Sequence, residues 1–394
     1  MWQKIKNIYH LLIAILANLI FWFPARKLIV IGVTGTDGKT TTVSLIYHIL
    51  KQSGEKVSMI TSIGARIKEK KYDTGYHVTT PGSFYLQRIL RKAVSSKNKY
   101  FVLEVTSHAI DQYRVWGIPF KVAAITNITS EHLDYHKTYD NYFKTKEKLI
   151  RISEVAVVNQ DDSSYNRLRE SVTNKPNEKW ISYGLSNASD VNPENFSVND
   201  HNLIGGFNKY NVLAAVSVCK NLGIPDEKIN KALKNFIMPV GRFDFVYEKD
   251  FKVMIDFAHT ANAFQAVLSS IRPFVEGKII HVFGSAGERD KLKRPLLGEI
   301  SSNFSDIVIL TSEDPRSEEA GTIIEEIKSG IKNEKVEVFK IPDRKEAIAA
   351  AVQMAGKNDL VIITGKAQEK SMNYGKGEEE WDEYEAVKDA LEKK

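Results

Sequence analysis

One cysteine, Cys219, stands among 394 residues. A single thiol excludes an intramolecular disulfide and any multi-cysteine zinc site, and it suits the interior of a cell. No stripe of arginine and lysine interleaved with aromatics occurs, so the chain lacks the footprint of a nucleic-acid binder and no nucleic-acid partner is expected. No internal repeat or low-complexity tract stands out. A membrane-spanning helix needs about 20 apolar residues; the longest such run here, residues 8–23, is shorter and contains His10 and Asn18. No small-residue cleavage site follows it. The chain runs straight into Lys27-Leu-Ile-Val-Ile31, a core-strand sequence, which argues against secretion.

What is present describes a globular protein. An apolar fraction of 43% and a charged fraction of 26% belong to a folded chain, long enough here for two or three domains. The net charge of +6 suits an anionic, phosphate-bearing substrate and equally a solvated surface. Lys4 and Lys6 precede residues 8–23, and Arg26 and Lys27 follow them. The segment reads as an interfacial or packed helix, with membrane contact and burial against a domain face both open. The expected compartment is the cytoplasm, with association at the inner face of the membrane if that contact exists.

Residues 27–33 form a continuous apolar run ending in glycine-rich sequence, and Thr41–Lys51 follows with helical periodicity. Strand, loop and helix in that order open nucleotide-binding α/β domains. Strand-like runs at Tyr100–Val105, Val122–Ile125 and Val155–Val158 alternate with helical stretches at Ser83–Val94 and Tyr139–Ile152. The alternation predicts a mostly parallel sheet covered on both faces. Residues 185–202 read as loops or short edge strands. A second series begins after Pro239-Val-Gly-Arg242, with runs at Val253–Phe257, Lys278–Phe283, Asp306–Thr311, Val336–Lys340 and Leu360–Thr364. The predicted fold class is α/β. A hydrophobic segment (1–26) precedes a P-loop domain with a mostly parallel central sheet (27–240) and a second, Rossmann-like domain (241–394).

The first motif is Gly32-Val-Thr-Gly35-Thr36-Asp37-Gly38-Lys39-Thr40-Thr41. A glycine-rich turn between strand and helix lets backbone N–H groups approach phosphate; the helix dipole favours the anion, Lys39 can reach the β/γ-phosphates, and Thr40 can hold Mg²⁺. Val33 stands where the strict P-loop pattern has its first glycine. The second constellation is Glu104, then Thr106-Ser-His108, then Asn127 through His136. Both segments follow apolar strands and should share the carboxyl edge of one sheet, where a carboxylate and a neutral imidazole can complete a magnesium shell. Taken alone, Glu104 serves equally as a strand-end salt-bridge partner, and His132 as a structural histidine.

These segments resemble the Mur ligases, and within them the third-residue-adding synthetases of peptidoglycan precursor. The likeness continues through Gly206-Phe-Asn208-Lys-Tyr-Asn211, Gly241-Arg242-Phe-Asp, Asp256-Phe-Ala-His259-Thr260, Gly287-Glu-Arg289-Asp290, Glu313-Asp314-Pro-Arg316 and Gly365-Lys-Ala-Gln-Glu369, from residue 28 to about 390 and in order. The resemblance implies ATP and Mg²⁺ as cofactors and a muramoyl-peptide carboxylate and an amino acid as partners. It assigns ATP to Gly35, Thr36, Asp37, Gly38, Lys39, Thr40, Thr41 and Asn127, with Asn208 and Asn211 towards adenine and Arg242 and Asp256 reaching phosphate and ribose from the C-terminal domain. Thr40, Glu104 and His132 fall to the metal shell, joined by Lys146, which stands where the family carries a carbamylated lysine. Lys39, Glu104, His132 and Lys146 are therefore the expected catalytic set. Thr79, Thr80, Thr106, Gln112 and Arg114 match the muramoyl-peptide contacts, and Arg289, Asp314, Arg316, Gly365 and Glu369 the amino-acid contacts. Closure of the two domains would keep water from an acyl phosphate.

The sequence also departs from the family. Only about 30 residues precede the P-loop, where full-length relatives carry a uridine-binding domain, so the acceptor could be lipid-linked or another carboxylate altogether. Asp37 replaces asparagine, Ala367-Gln368 replaces Gly-His, and Glu313-Asp314 replaces Asp-Asn, adding a negative charge. Arg316 and Arg289 favour diaminopimelate, while the added acid would tolerate the amino end of lysine. The alternatives are a poly-γ-glutamate or folylpolyglutamate type of amide ligase, and a non-catalytic membrane-bound scaffold.

Overall fold

The computed structural model describes residues 2–75, 78–172, 179–196 and 205–394. Its internal contacts divide the chain into two units, Met1–Leu203 with Phe207–Ile237, and Ile204–Gly206 with Met238–Lys394.

The first unit opens with helix α1 (Trp2–Ile20) and a 3-10 turn (Pro24–Lys27). There follow β1 (Ile29–Thr34), α2 (Lys39–Gln52), β2 (Val57–Thr61), β3 (Gly64–Ile67), β4 (Lys70–Tyr72), α3 (Ser83–Ser95), β5 (Tyr100–Glu104), α4 (Ser107–Asp111) and β6 (Phe120–Ile125). After these come α5 (Leu133–His136), α6 (Tyr139–Arg151), β7 (Ser153–Asn159), α7 (Tyr165–Val172), β8 (Lys179–Tyr183), α8 (Gly206–Asn221) and α9 (Asp226–Lys234). The strands pair in the order β4-β3-β2-β5-β1-β6-β7-β8. All are parallel except β3 and β4, which fold back antiparallel at one edge.

Alternate residues of β1 serve two cores. Ile31 and Val33 pack with Val43, Ile46 and Leu213 on one face, while Val30 packs with Leu86, Phe101 and Leu149 on the other. Burying each such side chain contributes roughly 1.5–3 kcal/mol. The chain leaves β1 on one side, towards β2 and β5, and returns on the other as β6. That reversal opens a crevice at the carboxyl ends of β1, β5 and β6, where open α/β sheets bind ligands.

α1 lies against α3. Its inner face buries the small Ala14 and Ala17 together with Asn18, and Ile8, Leu12, Leu16 and Leu19 are exposed on the other face. Among the described residues, no helix is long and apolar enough to cross a membrane.

The second unit contains β9 (Asp244–Glu248), β10 (Lys252–Asp256), α10 (Ala261–Ile271), β11 (Ile279–Phe283), α11 (Lys293–Phe304), β12 (Ile307–Leu310) and α12 (Ala320–Lys328). It continues with β13 (Glu337–Lys340), α13 (Arg344–Met354), β14 (Leu360–Thr364), a hairpin of β15 (Ser371–Asn373) and β16 (Glu378–Glu380), and α14 (Glu383–Glu392). The main sheet runs β13-β12-β11-β14-β10-β9, parallel but for the antiparallel edge strand β9. The expected loop region 185–202 is described as far as 196, as turns and one bridge to Tyr183; residues 197–202 lie outside the described residues.

Candidate active site

The loop between β1 and α2 is shaped by its glycines. Gly35 has φ +148°, and a Cβ there would stand 1.8 Å from Thr126 Oγ1; Gly38 has φ +80°, and a Cβ would stand 2.3 Å from Asn211 Oδ1. Neither position tolerates a larger residue without displacing a neighbour. The residues after β6 brace the loop. Thr36 N donates to the Asn127 carbonyl at 2.9 Å, Asp37 N to Asn127 Oδ1 at 2.9 Å, and Thr126 Oγ1 to the Asp37 carbonyl at 2.6 Å. Asn127 therefore acts as a strut for the loop backbone. Asn208 and Asn211 are buried behind it: Asn211 Nδ2 donates to Asn208 Oδ1, and Asn211 Oδ1 accepts from Thr42 Oγ1.

Two lysines converge on the loop. Lys39 Nζ donates to the Thr36 carbonyl at 2.7 Å. Lys146, on the buried face of α6, donates to the Gly35 carbonyl at 2.7 Å and lies over the Tyr142 ring. Burial, reinforced by the Lys39 charge, holds the Lys146 amine well below the ordinary lysine range. Lys144 and Lys148 are exposed on the opposite face of the helix, which separates the three lysines by position alone. Thr41, next to Thr40, is buried at the start of α2.

Beside the loop, Thr40 Oγ1 donates to Glu104 Oε2 at 2.9 Å, and Ser62 N donates to the same oxygen at 3.1 Å. A hydroxyl and a carboxylate are the hard oxygen donors that Mg²⁺ prefers, and Mg²⁺ takes its remaining positions from waters and substrate phosphates. Among the described residues no three His, Cys, Asp or Glu side chains form a ready-made metal cage. His132, in the left-handed conformation at φ +56°, stacks edge-on with His108 at 4.9 Å between centroids and lies 6.3 Å from the Tyr142 ring.

A second cluster sits at the same sheet edge. Thr80 Oγ1 donates to the Glu104 carbonyl at 2.8 Å and accepts from Thr106 N at 3.1 Å. Arg114 donates through Nη1 to the Thr80 carbonyl at 2.6 Å and through Nε and Nη2 to Gln112 Oε1 at 3.0 and 2.7 Å. Thr106 caps α4 by accepting from Ala109 N, and Thr79 is half-buried alongside Thr80.

In the second unit, Asp256 at the end of β10 accepts from Phe243 N and Ala258 N, fixing the turn that carries Arg242. Arg242 stacks on Phe257 and donates to Gln368 Oε1 at 3.0 Å. Lys366, fully buried, donates to both oxygens of Asp314 at 3.0 and 2.9 Å and to Glu369 Oε2 at 2.6 Å. Asp314 Oδ1 also accepts from Asn373 N. The acid expected to add a negative charge is neutralised by Lys366, and both of its oxygens are engaged inside the protein. Arg316 donates to the Gly287 carbonyl at 3.1 Å, and Arg289 is exposed. Gly365 (φ +105°) lies against Glu313, whose burial pushes its carboxyl up to about 8. Asp314, Arg316 and Ala367 all have positive φ, of 43°, 54° and 40°, backbone strain of the kind that collects at ligand sites.

Sequence reasoning missed Ser62, Tyr142 and Lys366. Tyr142 and Lys366 lie inside segments already noted. Tyr142 Oη hydrogen-bonds Thr36 Oγ1 at 3.1 Å. Ser62 follows an ordinary strand, with nothing in the sequence to mark it.

A phosphate-shaped loop, a paired hydroxyl and carboxylate beside it and a buried amine facing it define an ATP-using α/β enzyme. The chain belongs to the Mur ligase family, ATP- and Mg²⁺-dependent enzymes that form amide bonds. The Mur ligase middle domain matches residues 33–219, and the Mur ligase glutamate ligase domain matches residues 241–367. It is 38% identical over 388 residues to UDP-N-acetylmuramoyl-L-alanyl-D-glutamate–2,6-diaminopimelate ligase 1 of Clostridium acetobutylicum, covering 93% of this chain and 79% of that one. The Aquifex aeolicus ligase of the same name is 40% identical over 372 residues, covering 90% of this chain and 75% of the other. A solved structure of such a ligase superposes with a TM-score of 0.63 at 28% identity, over 93% of this chain and 78% of that one. Folylpolyglutamate synthase of Mycobacterium tuberculosis superposes with a TM-score of 0.72 at 15% identity, over 91% of this chain and 96% of that one, a likeness of fold alone.

Proposed function

We propose that this ligase adds 2,6-diaminopimelate to the peptide carboxylate of a muramoyl-peptide acceptor, in the making of peptidoglycan precursor. The observation that carries the choice of amino acid is the Lys366–Asp314 pair. With Asp314 engaged by Lys366, a distal carboxylate, which diaminopimelate has and lysine lacks, suits the guanidinium groups of Arg316 and Arg289.

In this reading residues 27–240 bind ATP and acceptor, and residues 241–394 bind the amino acid. The loop backbone and Lys39 hold the phosphates. Mg²⁺, when bound, neutralises phosphate charge; Thr40 and Glu104 would hold it, with His132 nearby and Lys146 in carbamylated form. Lys146 suits that modification, because burial favours the neutral amine that reacts with CO₂. Thr80, Thr106, Gln112 and Arg114 orient the acceptor. Its carboxylate takes the terminal phosphoryl group of ATP to become an acyl phosphate, and the amine held near Arg316 attacks the acyl carbon and expels phosphate. The exposed stripe of residues 8–23 supports contact with the inner face of the membrane, with the enzyme working from the cytoplasm.

The fold likeness to folylpolyglutamate synthase supports the scaffold and says nothing of the acceptor. Lys39, Glu104 and Lys146 gathered round one loop speak against a non-catalytic scaffold. The deciding experiment measures phosphate release from ATP across a panel of muramoyl-peptide, folate and γ-glutamyl acceptors with diaminopimelate, lysine and glutamate, identifying products by mass spectrometry. Turnover only with a folate or γ-glutamyl acceptor would sink the reading.

A further inference from the structure

α1 grips the acceptor loop at two points. Asn7 Nδ2 donates to Asp111 Oδ2 at 3.1 Å, an oxygen that also accepts from Tyr135 Oη at 2.8 Å. Three helical turns further on, about 16 Å along the axis, Asn18 Nδ2 donates to the Trp116 carbonyl at 2.9 Å and to its own helix at Ala14. Gly117, with φ +78°, approaches so closely that a Cβ would stand 2.9 Å from Asn18 Oδ1. Between these points lie Gln112 and Arg114. The Arg114 charge is also felt at His10 of α1, whose imidazole titrates below its ordinary range through burial first and that charge second.

Among the described residues, the other face of α1 has no such partner. Ile8, Leu12, Leu16 and Leu19 recur at spacings of four, four and three, with Trp22 beyond them, all exposed. Lys6, Arg26 and Lys27 are exposed at the ends of the stripe. α3, which packs on both α1 and the 3-10 turn, exposes Arg88, Arg91 and Lys92. Neither residues 1–36 nor α3 contains a single acid. An apolar stripe with cations around it and no acid suits a bilayer carrying anionic headgroups.

We propose that α1 couples an anionic lipid surface to the acceptor loop. Its apolar face seats among the headgroups, and through Asn7 and Asn18 its inner face holds residues 106–118 in the shape that receives the acceptor. The loop then lies within about one helix diameter, ~10–12 Å, of the bilayer, so the acceptor this arrangement serves is one whose peptide-bearing head projects from a lipid anchor. The inference rests on reading Thr106, Gln112 and Arg114 as acceptor contacts. Asn7 and Asn18 are positioning residues in it.

The test follows hydrogen exchange in residues 106–118 and pelleting with vesicles of phosphatidylcholine, with and without phosphatidylglycerol. The full chain should pellet with the anionic vesicles only, and exchange across 106–118 should slow about fivefold, the worth of one net hydrogen bond. The double variant Leu12→Ser/Leu16→Ser should stay in the supernatant and show no slowing. Asn18→Ala and Asn7→Ala should pellet without slowing, and Asn7→Gln, which keeps the donor, should behave as the parent. A parent chain that does not pellet, that pellets with unchanged exchange, or that buries the stripe in a dimer unaffected by vesicles overturns the proposal. Phosphate release in the same samples judges the ligase reading separately, because exchange is read without turnover.

Discussion

Lys146 Nζ stands 2.7 Å from the Gly35 carbonyl and is buried at the foot of the phosphate loop, with the Tyr142 ring beneath it. An ammonium in that position is desolvated and faces the charge of Lys39. A carbamate on the same nitrogen would replace that cation with an anion.

Lys146→Ala is therefore expected to lose most ligase activity, and bicarbonate should not restore it. Formate or acetate, small enough to enter the gap, should return part of the rate. Lys144→Ala and Lys148→Ala, on the exposed face, should remain active. Full activity of Lys146→Ala would show that no carbamate is used.

Lys39→Ala should abolish ATP turnover while leaving the melting temperature within a degree or two of the parent. The side chain donates to the Thr36 carbonyl of its own loop, so its loss leaves the core packing in place. Wild-type phosphate release from the purified variant would refute the phosphate-loop assignment.

Arg316→Ala should raise the KM for diaminopimelate far more than the KM for ATP. Loss of a desolvated guanidinium–carboxylate pair costs roughly 2–4 kcal/mol, or about 30-fold or more in KM. The check is a pair of titrations at saturating acceptor; unchanged preference for diaminopimelate over lysine would remove the carboxylate-reading role.

His281 lies at the centre of the second sheet, bonded to Ser301 Oγ at 2.8 Å and Thr364 Oγ1 at 3.0 Å. Burial, with Arg344 adding to it, brings its pKa down to about 3 from 6.5. Between those values the unfolded chain takes up a proton that the folded chain refuses. Stability is thus full above pH 6.5 and declines as pH falls towards 3, by roughly 3–5 kcal/mol in total. Urea melts at pH 4–7 should show the decline, and His281→Gln should flatten it. An equal slope in parent and variant would exclude His281 as the source.

Part of the parallel sheets was legible in sequence because strands buried on both faces read as unbroken apolar runs, as Ile29–Thr34 and Leu360–Thr364 do, whereas β2, with Ser58 and Thr61 in its run, and β8 were not read. β3 and β4 were not, since an edge strand exposing Arg66, Lys70 and Lys71 carries no apolar run. The shared sheet edge of Glu104, Thr106 and Asn127 could be read from their places after strands. Which of three neighbouring lysines turns inward depends on the packing of α6, and spacing alone leaves it undecided. The effect of the acid at position 314 depends on Lys366, 52 residues away. A negative charge counted along the sequence became an internal ion pair in space. The clasp of Asn7 and Asn18 on residues 111–116 likewise needs the third dimension.

The last helix has a consequence for the turn that carries Asp314. Glu383, the first residue of α14, is fully buried and takes the Arg344 guanidinium through Nε at 2.9 Å; Arg344 also donates to the Ser312 and Thr364 carbonyls. Those carbonyls sit next to Glu313 and Gly365, so the strand ends that frame Asp314 and Lys366 are tied through Arg344 to Glu383. Without Glu383, Arg344 is a buried cation that has lost its ion-pair partner, a loss of about 3–5 kcal/mol. Order at the Asp314–Lys366 pair therefore depends on α14, a helix that contributes neither residue of the pair.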